Sequence, residues 1–190
     1  MLALSYKVVL GSQSPRRKEL LKEIIPFEVK EAIEVDETWP PSLQVEEIPV
    51  YVARKKAAAY LPSLEADELL ITADTIVVLD RTVLGKPSGR EDAVRMLRML
   101  SGRTHRVLTG VCLTARQKTV DFSVASTVRF APIGEEDIQY YIDRFQPYDK
   151  AGAYGIQEWI GYIAVEEIAG SFYNVMGLPV QRLYQELSRF

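Results

Sequence analysis

The run His105–Phe130, HRVLTGVCLTARQKTVDFSVASTVRF, decides the fold class. Residues 105–115 and 118–130 are rich in β-branched and apolar side chains, and only Arg116 and Gln117 separate them. Strands joined this tightly pair antiparallel, because a parallel pair needs a long crossover. On either side of this hairpin, helical and strand patterns alternate. The sheet must then hold both kinds of pairing, and a mixed α/β (α+β) architecture is expected.

Working outward toward the N-terminus, Leu69–Leu79 (LLITADTIVVL) reads as a strand with a polar Asp74-Thr75 in its middle. Asp80-Arg81 turns it into Thr82–Leu84. Pro49 to about Leu61, with Ala53, Ala57, Ala58 and Ala59, reads as a helix. Ala32–Ser42, with Pro40-Pro41 and three acids, is a loop. Tyr6–Leu10 and Phe27–Lys30 are short strands. Between them Ser14 caps a helix that starts at Pro15 and runs to about Lys22.

Between the central strand and the hairpin, Arg90–Leu100 reads as a helix with Ala93, Val94, Leu97 and Leu100 on one face, ended by Gly102. C-terminal to the hairpin, Glu135–Phe145 is a helix and 148–157 is irregular. Gly161–Ile168 is expected as a strand, and a last helix runs from Leu178-Pro179-Val180 to about Leu187. No internal repeat or low-complexity tract interrupts the 190 residues, so one domain is expected.

Composition narrows the function classes. Of the residues, 47% are hydrophobic and 26% charged, with a net charge of −3. That is ordinary for a globular chain and argues against a nucleic-acid coat or a membrane-surface protein. One cysteine, Cys112, forbids an intrachain disulfide, and a single His leaves no Cys/His zinc site. Any metal would sit on carboxylate oxygens, which points to Mg²⁺ or Mn²⁺. The N-terminus lacks a signal-peptide pattern and no run reaches membrane-span length, so the cytoplasm is the expected location.

Four segments carry candidate chemistry. Gly11-Ser12-Gln13-Ser14-Pro15-Arg16-Arg17 turns a strand into a helix, and the free N–H groups there favour an anion. Two arginines in a first turn oppose the helix dipole unless a multiply charged anion sits with them. The segment is not a Walker A loop, which ends in Gly-Lys-Ser/Thr. Asp74 in an apolar strand needs a cation or hydrogen bonds, and suits a general base or a metal ligand. Lys56 and Lys86 each read singly as solvated lysines that could serve a triphosphate, and Asp36-Glu37 reads as a charged loop. In Asp149–Gln157 (DKAGAYGIQ), Gly and Ala permit close approach, and the Gln157 amide can bond a base edge. His105 reads as structural, Cys112 as core, and Tyr140, Tyr141 and Tyr148 as core or interface.

Taken together, these segments resemble the Maf family of nucleoside-triphosphate pyrophosphatases. The likeness rests on Leu10–Arg17 with Glu19-Leu20-Leu21, Val35-Asp36-Glu37, Lys56-Ala57, Ala73–Val77 and Leu84–Pro87. It continues through Leu100–His105, Asp149–Gln157 and Gly170–Pro179, in family order over nearly the whole chain. It implies an elongated α/β fold like that of inosine-triphosphate pyrophosphatases, with a central mixed sheet, flanking helices and a nucleotide cleft between two lobes of one domain, residues 1–190. A homodimer is commonly implied as well.

The implied activity is hydrolysis of a nucleoside triphosphate to the monophosphate and pyrophosphate with a divalent metal. The Asp149–Gln157 run is similar to the dTTP/UTP branch. The resemblance makes Asp74 the catalytic base; Glu37 and Asp74 are the expected metal ligands. Arg16, Thr75 and Gln157 become specificity positions, and Ser12, Arg17, Glu37, Lys56 and Lys86 other pocket residues. The alternatives are a pyrophosphatase of 7-methyl-GTP or inosine triphosphate, and a nucleotide-binding regulator of septum formation without turnover. The chain departs from the resembled pattern at Gly11, where Ala is usual, at Thr72, where Gly is common, and at Glu158-Trp159, where a glycine usually follows the Gln.

Overall fold

The computed structural model describes residues 4–190. Its elements in chain order begin with β1 (Lys7–Leu10), α1 (Pro15–Lys22), β2 (Glu28–Val29), α2 (Ile48–Tyr60), β3 (Glu68–Leu79), β4 (Thr82–Leu84) and α3 (Arg90–Leu100). They continue with β5 (Thr104–Ala115), β6 (Lys118–Phe130), α4 (Glu135–Phe145), α5 (Trp159–Ala164), β7 (Val165–Ala169), α6 (Phe172–Met176) and α7 (Val180–Leu187). The strands form one seven-stranded sheet in the order β2-β1-β3-β5-β6-β7, with β4 on β3. It is mixed as expected: β1 pairs parallel with β2 and β3, while β4 and β7 pair antiparallel with β3 and β6.

The chain forms two compact units, and the long strands β3, β5 and β6 give part of their length to each. The first unit takes Met1–Thr75, Thr109–Val124 and Gly177–Phe190. Here β1 lies in parallel register with β3, Lys7 opposite Glu68 and Leu10 opposite Ile71. Val9, Ala53, Ala57, Tyr60, Leu64, Leu70 and Cys112 form a buried cluster. The small residues of α2 let it lie close to the strands. Gly110 on β5 shows how close: an added Cβ there would stand 2.3 Å from the Pro49 carbonyl carbon and the Val50 nitrogen. Only glycine admits the start of α2 at that distance.

The second unit takes Ile76–Leu108 and Ala125–Met176. Within it α3 buries Ala93, Val94, Met96, Leu97 and Leu100, and carries Glu91 and Asp92 in its first turn and Arg98 in its last, as the helix dipole favours. Gly102 follows α3 with φ +67°. Arg98 and Arg90 each make paired hydrogen bonds to α4, to Glu135 and Asp143.

One expectation is corrected in this unit. Gly161–Ala164 are helical, not extended, and the strand begins only at Val165. The reason is close packing on the residues just before it: an added Cβ on Gly161 would stand 1.8 Å from the Ile156 carbonyl oxygen. The glycine serves a helical turn pressed onto the preceding loop.

Candidate active site

In the first unit, β1 delivers the chain to Gly11 and Ser12, and the Ser14 hydroxyl then caps α1 by accepting from Arg17 N at 3.5 Å. This start sets Arg16 and Arg17 on the first turn, with Ser12 just before the cap. Ser12 Oγ accepts from Ser14 N at 3.3 Å and from Arg17 Nη1 at 3.4 Å.

The next strand, β3, is buried almost throughout, and Asp74 is 9% exposed. A buried carboxylate needs a partner, because desolvation disfavours its charge. Lys56 on α2 supplies it: Nζ donates to Asp74 Oδ1 at 2.8 Å. The same Nζ lies 2.9 Å from Glu37 Oε1. One ammonium thus joins the two carboxylates that sequence reasoning proposed as metal ligands. The helix that carries Lys56 is tied to β3 directly, since Thr72 Oγ1 donates to the Ala53 carbonyl at 2.8 Å.

Arg17 bonds to both strand neighbours of Asp74. Its guanidinium donates to the carbonyls of Ala73 and Gly177, each at 2.9 Å, and to Thr75 Oγ1 at 3.1 Å. Thr75 Oγ1 is also 3.0 Å from Thr109 Oγ1 on β5. Burial lowers the proton affinity of the guanidinium, Asp74 and Glu37 raise it again, and the neighbouring Arg16 lowers it. The group Arg16, Arg17, Lys56, Glu37 and Asp74 carries one net positive charge, so an overall acidic chain holds a locally cationic centre.

The remaining predicted residues, Lys86 and Gln157, belong to the second unit. Gly152 N donates to the Gly85 carbonyl at 3.0 Å, which ties the loop of Lys86 to Asp149–Gln157. Gly152 and Ala153 both adopt left-handed backbone, φ +69° and +58°, and a Cβ at Gly152 would meet Val77 at 2.9 Å. Two side-chain networks brace this loop. Tyr154 and His105 meet at 2.8 Å through the Tyr hydroxyl and Nε2. Burial drops the His105 pKa to about 4, so it is neutral near pH 7. In the second network Tyr141 OH accepts from Gly155 N at 2.9 Å and donates to Glu158, whose other oxygen is 3.1 Å from Lys150 Nζ. Gln157 Oε1 is buried and, among the described residues, has no hydrogen-bond partner.

Several participants escaped sequence reasoning. Thr109 looks like any strand threonine and leaves no local signal. In the sequence Glu158 stands out only as a departure; the structure commits its carboxylate to Tyr141 and Lys150. Gly177 was part of a motif, and its φ of +114° turns its carbonyl toward Arg17.

With this geometry in view, the likeness to known proteins is specific. The family model described as Maf-like protein matches residues 7–190. The dTTP/UTP pyrophosphatase of Parabacteroides distasonis is 59% identical over 97% of this chain and 96% of its own. That of Porphyromonas gingivalis W83 is 58% identical over 97% and 94%, and that of Bacteroides fragilis 56% over 97% and 96%. Among solved structures, the Ham1 protein of Staphylococcus aureus matches with TM-score 0.56 and 15% identity, over 96% of this chain and 98% of that one. At that identity it speaks to the fold alone. Matched along almost its whole length, the chain belongs to the Maf-like protein family.

Proposed function

We propose that this protein hydrolyses dTTP and UTP to the monophosphate and pyrophosphate. The names of its relatives support the substrates, and one observation of its own carries the chemistry. That observation is a buried carboxylate, Asp74, held by a single ammonium 2.8 Å away that also binds Glu37, in the same unit as a helix start bearing two arginines.

Asp74 accepts the proton of a water as that water attacks the α-phosphorus. The bond from the α-phosphorus to the bridging oxygen breaks, and pyrophosphate leaves with the electron pair. Arg16 and Lys56 neutralise charge on the phosphoryl oxygens. For base recognition, uracil and thymine both offer an N3–H, and the partnerless Oε1 of Gln157 is an acceptor.

The donor set fits a divalent cation with oxygen ligands. Glu37 and Asp74 converge on one cationic centre, and no group of three or more His, Cys, Asp and Glu side chains among the described residues forms a metal cage by itself. Glu37 and Asp74 would hold Mg²⁺ or Mn²⁺, with phosphate oxygens and water completing the shell, as is usual for Mg²⁺. When bound, the cation supplies further neutralisation of the phosphates. No helix among the described residues is long and apolar enough to cross a membrane; a cytoplasmic homodimer is the state this reading adopts.

The test is pyrophosphate release across dTTP, UTP, CTP, inosine triphosphate and 7-methyl-GTP, with Mg²⁺ or Mn²⁺ and with chelator. Preference for dTTP and UTP, lost on chelation, is expected. Asp74→Asn should lower kcat by about 10²–10⁴-fold. A folded Asp74→Asn protein with normal turnover would remove Asp74 from the chemistry, and tight nucleotide binding without any release would favour a regulatory role.

A further inference from the structure

An arginine carries five N–H donors in a rigid planar fork. In Arg17 four of these meet protein acceptors. Nε reaches the Gly177 carbonyl at 2.9 Å, Nη1 the Ala73 carbonyl at 2.9 Å and Ser12 Oγ at 3.4 Å, and Nη2 reaches Thr75 Oγ1 at 3.1 Å. All of these residues lie in the first unit. Two of the acceptors are backbone carbonyls, whose positions are set by strand β3 and by the left-handed turn at Gly177. A guanidinium that swung away to meet a phosphate would strip donors from both carbonyls and from a threonine hydroxyl in a largely desolvated place.

The acceptors also bracket the chemistry. Ala73 and Thr75 are the residues immediately before and after Asp74. Arginine can only donate, so Thr75 Oγ1 must accept from it. The Thr75 proton is thereby left for Thr109 Oγ1, 3.0 Å away, or for an acceptor on a substrate.

We infer that Arg17 is a positioning residue and not a phosphate ligand: it grips the strand on both sides of Asp74 and fixes the polarity of the Thr75 hydroxyl. The inference rests on the reading of Asp74 as the water-activating carboxylate. It leaves Arg16 as the first-turn arginine for the phosphates. The two arginines of α1 then have different work, although they are adjacent and chemically identical.

Arg17→Lys separates the two roles, because it keeps the charge and loses the fork. A positioning residue makes its contacts before any nucleotide arrives. The ligand-free Arg17→Lys protein should melt about 5 °C or more below the unmodified protein. Its kcat for dTTP should fall roughly 10–100-fold, while KM stays within about threefold. A phosphate ligand would show the reverse: an unchanged melting temperature without nucleotide and a KM raised tenfold or more.

If Arg17→Lys does not fold, the unmodified protein still decides. The Arg17 Nε–H resonance in ¹⁵N-labelled protein should exchange slowly without ligand and stay in place when pyrophosphate and Mg²⁺ are added. Fast exchange without ligand, or a large shift on adding pyrophosphate, overturns the inference. Absence of turnover by the unmodified protein on every nucleotide would instead sink the reading of the site. The melting and NMR measurements report on the Arg17 contacts independently of turnover.

Discussion

Two departures from the resembled sequence pattern face each other in the structure, and together they give a quantitative prediction. Gly11 stands where Ala is usual and Thr72 where Gly is common. An added Cβ at Gly11 would lie 2.9 Å from Thr72 Cγ2, 2.9 Å from Tyr60 Cε2 and 3.1 Å from Leu70 Cδ1. The Thr72 methyl therefore occupies room that an alanine at position 11 would need. Thr72 is fully buried, so it cannot swing into solvent, and its hydroxyl is anchored on the Ala53 carbonyl.

Gly11→Ala alone overpacks this spot, which costs about 1–3 kcal/mol, less up to ~1 kcal/mol from the reduced entropy of the unfolded chain. Thr72→Gly alone opens a void and loosens a strand residue, at about 2–3 kcal/mol. Made together, the alanine methyl enters the space the threonine leaves. The double variant should be more stable than the sum of the single effects predicts by roughly 1–2 kcal/mol. Relief is partial because Tyr60 still presses on the same point. Urea unfolding of the four proteins closes the double-mutant cycle. Effects that add to within about 0.5 kcal/mol would refute the steric coupling.

Two further perturbations probe the braces of the 149–157 loop. Burial holds His105 neutral down to about pH 4, against 6.5 in the unfolded chain, so protons favour the unfolded state in between and stability falls as pH drops through that window, by about 2 kcal/mol at pH 5. His105→Gln should remove this component, and unfolding free energies at pH 7.5 and 5 that differ equally in both proteins would contradict it. Glu158→Gln leaves the buried Lys150 ammonium with Asp149 as its carboxylate partner, and should cost about 2–4 kcal/mol and raise KM for dTTP several-fold. Unchanged melting and KM would show that the brace does not hold Gln157.

What was legible in the sequence is what local physics decides. The 105–130 hairpin announces itself because two residues cannot cross over a sheet. Ser14-Pro15 and Gly102 mark helix ends through capping and backbone freedom. Asp74 stands out because an acid in LLITADTIVVL must be compensated from somewhere. Where the compensation comes from was not legible: Lys56 is 18 positions away and Glu37 a further 19, and nothing near either residue distinguishes it from a solvated charge. The misread helix at 159–164 has a shorter-range origin. Gly161-Tyr162-Ile163 carries strand-like residues, but the glycine answers to the Ile156 carbonyl against it. Glu158 read as a disturbance beside Gln157, because its partners Tyr141 and Lys150 become neighbours only in the folded unit.

The choice of lysine at 56 and arginine at 17 follows from these geometries. Arg17 faces acceptors spread over Ser12, Ala73, Thr75 and Gly177, and a planar fork spans such a set while a single ammonium cannot. Lys56 faces two carboxylates, and a compact ammonium with three donors serves them from one point. It also keeps a donor in hand on a flexible stem. Under the proposed reaction a triphosphate offers that ammonium competing oxygens at the moment Asp74 must accept a proton. Each shift of Lys56 toward phosphate uncovers Asp74 Oδ1, the oxygen the ammonium holds at 2.8 Å, so that it can take a proton. Substrate arrival and base activation are then one movement of one side chain, while Arg17 holds the strand beneath Asp74 still.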